Sequence, residues 1–208
     1  SRLILPVVEP CMSRVLSDYL NSFGQAMLRQ YGRRVHKIAI DAGFTCPNRD
    51  GRKSRGGCTF CNNASFSPNE RHIKPIREQI LSGKSVIKKR TGATLFMAYF
   101  QAYTNTYGLM DDLKLKYDQA LKEPNVIGLA VGTRPDCVPD KVLDLLARYQ
   151  DQGLEVWLEL GLQSSFDKTL EIVNRGHGFA EYRHAIQAAR RRNIKVCTHL
   201  ITGLPGET

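Results

Sequence analysis

Residues 35–61 read VHKIAIDAGFTCPNRDGRKSRGGCTFC. The opening residues are apolar and β-branched enough to predict a strand over 35–41. A dinucleotide-binding fold would follow its first strand with a glycine-rich phosphate turn. Here the strand runs instead into a loop with three cysteines, Cys46, Cys58 and Cys61, spaced C-x11-C-x2-C. The spacer is glycine, arginine and lysine, with no pattern that could bury a core.

The same strand signal recurs at 94–100, 126–133, 155–162 and 195–204. Between the later strands lie amphipathic stretches, DDLKLKYDQALK and PDKVLDLLARYQ, with leucines three and four residues apart. Pro139 and Asp140 open one of these helices, Gly153 closes it, and the EPN at 123–125 ends the one before. Repeated strand and helix predict an α/β fold with a parallel sheet, barrel or doubly wound, and the missing phosphate turn favours the barrel. Residues 1–34 read as an N-terminal helical extension, with a helix over 13–30 that either caps the sheet or meets a partner. Residues 35–208 form the core. The chain starts without Met and stops at GLPGET, where the next helix is due, which predicts a barrel truncated after about the fifth strand.

With 208 residues and 42% hydrophobic content the chain is long enough for one sizeable core. No apolar run approaches the roughly 20 residues of a membrane span, and the opening SRLILPVVEPCMSR is broken too early by Pro and Glu for a signal peptide. The expectation is a cytoplasmic protein with no membrane partner. Thiols there stay reduced, so a tight cysteine group points to metal or redox chemistry. Cys11, Cys137 and Cys197 are dispersed and read as small buried hydrophobes. A net charge of +10 predicts attraction to polyanions, RNA first among them. The blocks RQYGRR, IKKR and ARRRN also fit solvated helix faces.

Active sites of parallel βα folds assemble at the C-terminal ends of the strands, where this loop sits. A structural zinc wants four closed ligands, and no second CxxC is present; His72 is the candidate fourth ligand of a Cys3His site. A [4Fe-4S] cluster on three cysteines keeps one iron open to a small molecule. Gly56 and Gly57 let the backbone wrap such a cluster. Strand alternation separates Val156, Leu158, Leu160 and Leu162 from Glu155, Trp157, Glu159, Gly161 and Gln163. The leucine face suits helix packing, and the other faces the interior, where Glu159 and Gln163 reach the catalytic end or Glu159 pairs with a base. Tyr99, Gln101 and Tyr103 share a face likewise, as do Cys197, His199, Ile201 and Gly203.

A cysteine triad ending in CxΦC, with Phe60 as the aromatic, resembles the radical S-adenosylmethionine (SAM) superfamily. The x11 spacing departs from that superfamily's usual C-x3-C-x2-C. Together with YFQAYTNTY, GTRPDC, ELGLQS, NRGH and GLPGE it is similar to the Elongator-catalytic-subunit-like branch, and within it to a bacterial group that includes MnmL-type tRNA-modifying proteins. The resemblance implies a partial (β/α) barrel, a [4Fe-4S] cluster on Cys46, Cys58 and Cys61, and SAM on the open iron, cleaved reductively to a 5′-deoxyadenosyl radical. It implies SAM contacts from Phe60, Gln101, Thr104, Glu159, Gln163, Arg175 and Leu204. Arg175 would hold the methionine carboxylate; Ile201 fits core packing better than a SAM wall. Arg134 and Asp136 are either near the cofactor or part of a turn and helix cap, and His177 either orients substrate or caps a helix, the cap being the preferred reading. An electron donor such as flavodoxin or ferredoxin is implied, with tRNA as substrate through the wobble uridine C5 side chain, carboxymethylaminomethyl to aminomethyl. No substrate-side catalytic residue is identifiable. The alternatives are a radical SAM enzyme on a porphyrin or peptide, and a non-catalytic zinc-stabilised RNA-binding module.

Overall fold

A computed structural model describes residues 19–62 and 73–207. Five strands, β1 (Val35–Ile40), β2 (Leu95–Phe100), β3 (Val126–Thr133), β4 (Glu155–Gln163) and β5 (Lys195–Leu200), pair in parallel in the order β1-β2-β3-β4-β5. A doubly wound sheet reverses its strand order at a switch point. This sheet does not, so it is an open segment of barrel wall with helices α2 (Ile76–Thr91), α3 (Met110–Leu121), α4 (Asp140–Asp151) and α6 (Phe179–Arg190) on its outer face, while the short α5 (Asp167–Ile172) follows β4.

The main core lies between sheet and helices. It gathers Ile38, Ile40, Phe96, Phe100, Leu129, Val131, Leu158 and Leu160 from the strands with Leu113, Tyr117, Leu143, Leu146 and Ala189 from the helices. Burying each leucine is worth about 1.5–3 kcal/mol, and the outward face assigned to the β4 aliphatics is the one that packs. Gly128 is required where β3 meets β4: a Cβ there would lie 1.8 Å from the Glu155 carbonyl oxygen.

The N-terminal helix α1 (Phe23–Tyr31) lies on the opposite, inner face. Met27 packs with Val35, Leu95, Met97 and Ala130, and Phe23 meets Trp157 edge-on at 5.5 Å. Gln30 Nε2 and Tyr31 Oη both donate to Glu155 Oε2, at 3.0 and 2.8 Å. Of the two roles open to this segment, the helix takes the first and caps the sheet. It starts later than the amphipathic pattern suggests: residues 19–22 are not helical, because the Ser22 hydroxyl accepts from Gln25 N and starts the helix there. Residues 13–18 of that expected helix lie outside the described residues. The last strand is also shorter than expected, ending at Leu200; Gly203 then takes φ +79° and the backbone turns away. Among the described residues no helix is long and apolar enough to cross a membrane.

Candidate active site

The cysteine loop leaves the end of β1 and is held by a distant segment. Arg49 N and Asp50 N donate to the Cys46 carbonyl at 2.8 and 3.0 Å, and Cys61 N to that of Cys58 at 2.9 Å. Gly56 and Gly57 take φ +87° and +84°, a left-handed pair that a β-carbon would strain. Residues 173–176, after α5, clamp the loop. Asn174 Nδ2 donates to the Gly57 carbonyl at 2.8 Å and to Ser54 Oγ at 3.2 Å, while its own carbonyl accepts from Asn48 Nδ2 at 2.6 Å. Thr59 N reaches the Val173 carbonyl at 3.1 Å, and Lys53 binds the Gly176 carbonyl and pairs with Asp136 at 2.5 Å.

The loop closes one side of a cavity of about 330 Å³. Cys46, Cys58 and Cys61 line it together, with Phe60, Gln101, Thr104, Glu159, Gln163 and Arg175. Six of the seven residues expected around the cofactor thus meet in one place. Leu204 does not: it is buried, but it is not among the residues that form the cavity wall, because the chain turns off after β5. The three sulfurs do not all lie within 4.8 Å of one another. Two thiolates on one tetrahedral zinc stand only about 3.8 Å apart, given a Zn–S bond near 2.3 Å, so the three are not gathered as ligands of a single zinc ion. His72, the expected fourth zinc ligand, and Cys11 lie outside the described residues.

Two features of the wall fit a polar cofactor. The Thr104 hydroxyl is fully buried and finds no partner among the described residues, an orphan of the kind a ligand satisfies. Glycines at 132 and 161 keep the floor open, and a Cβ at Gly161 would stand 2.7 Å from Arg175 Nη2 and 2.8 Å from Gln163 Nε2. Gln163 itself holds φ +73° at a register shift between β4 and β5, and Tyr103 holds φ +63° on the opposite wall. Such left-handed side-chain residues concentrate at functional sites, where the backbone is bent to aim a group.

Deeper in the barrel, Glu159 accepts from Lys37 and lies 2.8 Å from His199 Nε2. Burial pushes its carboxyl up, but these two partners outweigh burial and hold it below 4.5. His199 is raised to about 9, through its hydrogen bonds to Cys197 and then Glu159. The ligand atoms of Glu159, Cys197 and His199 lie within 4.8 Å of one another. A cation there would have to displace both the imidazole proton and the Lys37 ammonium. The expectation that Cys197 is merely a buried hydrophobe fails, since it is half-buried in this polar group. Cys137 fits it: burial pushes its thiol up to about 12.

The GTRPDC and NRGH segments act largely on each other. Arg134, 2% exposed, forks onto Asp136 with both contacts at 3.0 Å and donates Nη1 to the Arg175 carbonyl at 2.8 Å. It lines the cavity, yet its guanidinium is spent on the wall, and Pro135–Cys137 form a short 3-10 turn. The cap of α6 is made by Asp167, which accepts from Phe179 N at 2.7 Å, and by Glu181, which accepts from Gly178 N at 3.0 Å. His177 is not that cap: it is buried, its Nδ1 lies 3.2 Å from the Gly178 carbonyl, and burial lowers it to about 4, so the ring is neutral. Asn48 and Asn174 hold the loop; Asn48 carries no sequence signal beyond lying two residues from Cys46, and Asn174 none beyond opening the NRGH segment.

Known proteins resemble this chain in sequence and in fold. The chain is 53% identical over 192 residues to Protein YhcC of Escherichia coli (strain K12), covering 92% of this chain and 61% of that one, so it spans about three fifths of that relative. It is 26% identical over 201 residues to the tRNA-2-methylthio-N(6)-dimethylallyladenosine synthase of Tropheryma whipplei, covering 93% of this chain and 39% of that one. Its fold matches the archaeal Elp3 of Methanocaldococcus infernus, solved with an N-terminal deletion, at a TM-score of 0.58 and 19% identity over 84% of this chain and 39% of that one. The family model described as the Radical SAM superfamily matches residues 46–208, from the first loop cysteine to the end, and the chain belongs to that superfamily.

Proposed function

We propose that this protein is a radical SAM enzyme that acts on tRNA. The observation that carries the first half is the meeting of Cys46, Cys58 and Cys61 in one cavity with the unpartnered Thr104 hydroxyl and the polar ends of Gln101, Gln163 and Glu159. The cysteines would hold a [4Fe-4S] cluster, which when bound supplies one electron for reductive cleavage of SAM. Around it, Thr104 and Gln101 at the end of β2 would orient SAM from one side, and Gln163 and Glu159 from the other. Phe60 lines the same wall beside Cys61 and helps exclude water. Cys58 is 7% exposed, and the clamp by residues 173–176 keeps the loop closed over it.

The tRNA half is supported by the charge of +10 and by relatives whose names record tRNA as their substrate. Within the resemblance to MnmL-type proteins, the reaction is conversion of carboxymethylaminomethyl to aminomethyl at C5 of the wobble uridine. Radical chemistry suits that side chain because its C–H bonds are not acidic enough for base catalysis. The electron donor would be of the flavodoxin or ferredoxin class.

The test is anaerobic reconstitution with iron and sulfide, followed by dithionite and SAM. 5′-Deoxyadenosine is expected from the parent and not from Cys58→Ala; no chromophore and no product in any preparation would refute the assignment. For the substrate, nucleoside analysis of tRNA from a deletion strain should show loss of the aminomethyl product, and an unchanged profile would rule that substrate out.

A further inference from the structure

Cys58 is treated differently from the other two cysteines. Asn48, fully buried, places Nδ2 3.5 Å from its sulfur, and Arg175, 7% exposed, places Nη1 at 3.5 Å from the same atom. Cys61 has an Arg49 Nη1 contact at 3.8 Å, on the exposed side of the loop. Both donors to Cys58 are fixed independently of it. Asn48 Nδ2 also binds the Asn174 carbonyl and its own carbonyl accepts from Gly57 N at 2.9 Å, while Arg175 Nη2 donates to the Gly161 carbonyl at 2.5 Å.

The charge on Arg175 is the second observation. Among the described residues it makes no salt bridge, although every other guanidinium this deeply buried does: Arg134 is matched by Asp136. Its Nε is buried without a hydrogen-bond partner. A buried cation without a counter-ion is strongly disfavoured, so the fold is built for negative charge in this cavity, and the sulfur of Cys58 is the group the guanidinium already faces.

We infer that Asn48 and Arg175 are positioning residues that hold the Cys58 thiolate and set the reduction potential of the cluster. The inference rests on the reading that Cys46, Cys58 and Cys61 bind a cluster. N–H donors and positive charge at a ligating sulfur stabilise the reduced, more negative state and so raise the potential. The effect is strongest where water is excluded. It also gives Arg175 a role besides the one its resemblance suggests: one N–H of each terminal nitrogen is engaged by Cys58 and Gly161, while Nε is unpartnered among the described residues.

The experiment is a redox titration of the anaerobically reconstituted protein without SAM, followed by electron paramagnetic resonance, with iron counted in each sample. Arg175→Gln and Asn48→Asp should retain iron and titrate at a more negative midpoint than the parent, with Arg175→Lys between them and Arg49→Ala shifted least. Loaded variants that titrate with the parent would overturn the inference and leave Arg175 as a SAM contact only. If the Gln and Asp variants fold by circular dichroism but take up no iron while the Lys variant does, the donors serve assembly and the tuning role is overturned. Absence of iron from the parent would overturn the cluster reading itself, and the iron count separates that outcome from the others.

Discussion

His199 makes the interior charge group a pH-sensitive element of the fold, and the size of its effect follows from the structure. The imidazole rises from its ordinary 6.5 to about 9, through hydrogen bonds to Cys197 and Glu159 and the Glu159 charge, against burial. A proton held more tightly in the folded state stabilises that state fully below about pH 6.5, and the stabilisation is lost as pH rises through 9. At 1.36 kcal/mol for each tenfold change in proton affinity the ceiling is about 3.4 kcal/mol. The His199 side chain is 40% exposed, and solvent screening brings the expected contribution to roughly 1–2 kcal/mol. His199→Gln keeps a hydrogen-bonding amide opposite Glu159 but cannot take the charge. Urea denaturation of parent and variant, under reducing conditions, should show the parent ahead by that margin at pH 6 and the gap nearly closed at pH 9.5. Every other ionisable side chain is common to both proteins and drops out of the difference. Parallel stability profiles from pH 6 to 9.5 would refute the reasoning.

Two further outcomes concern what holds the walls together. Burial pushes the Glu155 carboxyl up, but hydrogen bonds from Lys195 at 2.5 Å, Tyr31 at 2.8 Å and Trp157 at 2.6 Å hold it below 4.5. Its contribution is present above about pH 4.5 and lost as pH falls, so Glu155→Gln should cost about 1–3 kcal/mol in urea denaturation at pH 7 and much less at pH 3. Asn174→Ala removes the bonds to Gly57 and Ser54, at roughly 1 kcal/mol apiece or less. Iodoacetamide should then alkylate Cys58 in the iron-free protein several-fold faster, whereas an unchanged rate would show that the loop is held by other contacts.

Strand identity and strand faces were legible because both rest on local pattern. Glu159 and Gln163 against Leu158 and Leu160 is a period-2 statement, and the cavity respects it. The cysteine loop was legible because its composition excludes a core. What was not legible is set by partners far along the chain. Asn48 meets Asn174 across 126 residues and Arg175 meets Cys58 across 117; nothing local marks Asn48, and the NRGH resemblance points Arg175 at SAM, not at a sulfur. The start of α1 was misplaced because the apolar spacing continues across residues 19–21 while a single hydroxyl at Ser22 decides the boundary. Leu204 was drawn toward the cofactor by resemblance alone, and an apolar run after β5 looked like strand until its glycine turned the chain.

The inner face of the sheet is divided along its length, and that division explains how a marginally stable wall carries a charged site. At the N-terminal ends of the strands α1 covers Val35, Leu95, Met97 and Ala130 with apolar surface, and Glu155 ties the helix down. Next come Lys37, Tyr99, Glu159, Cys197 and His199, where charges face each other and compensate. At the C-terminal ends the cation of Arg175 is left without a carboxylate beside sulfur. Along this inner face the buried charges of Glu155 and Glu159 are thus matched within the protein, whereas that of Arg175, where the cofactor is proposed to sit, is not matched by a carboxylate. β4 runs through all three zones with an unbroken aliphatic outer face, so a slip of one residue would exchange leucine for glutamate against the helices. The left-handed Gln163 and the register shift at Gly161 come only at its end, after the core is secured, where bending the strand re-aims a side chain at the cavity without disturbing the packing that holds it there.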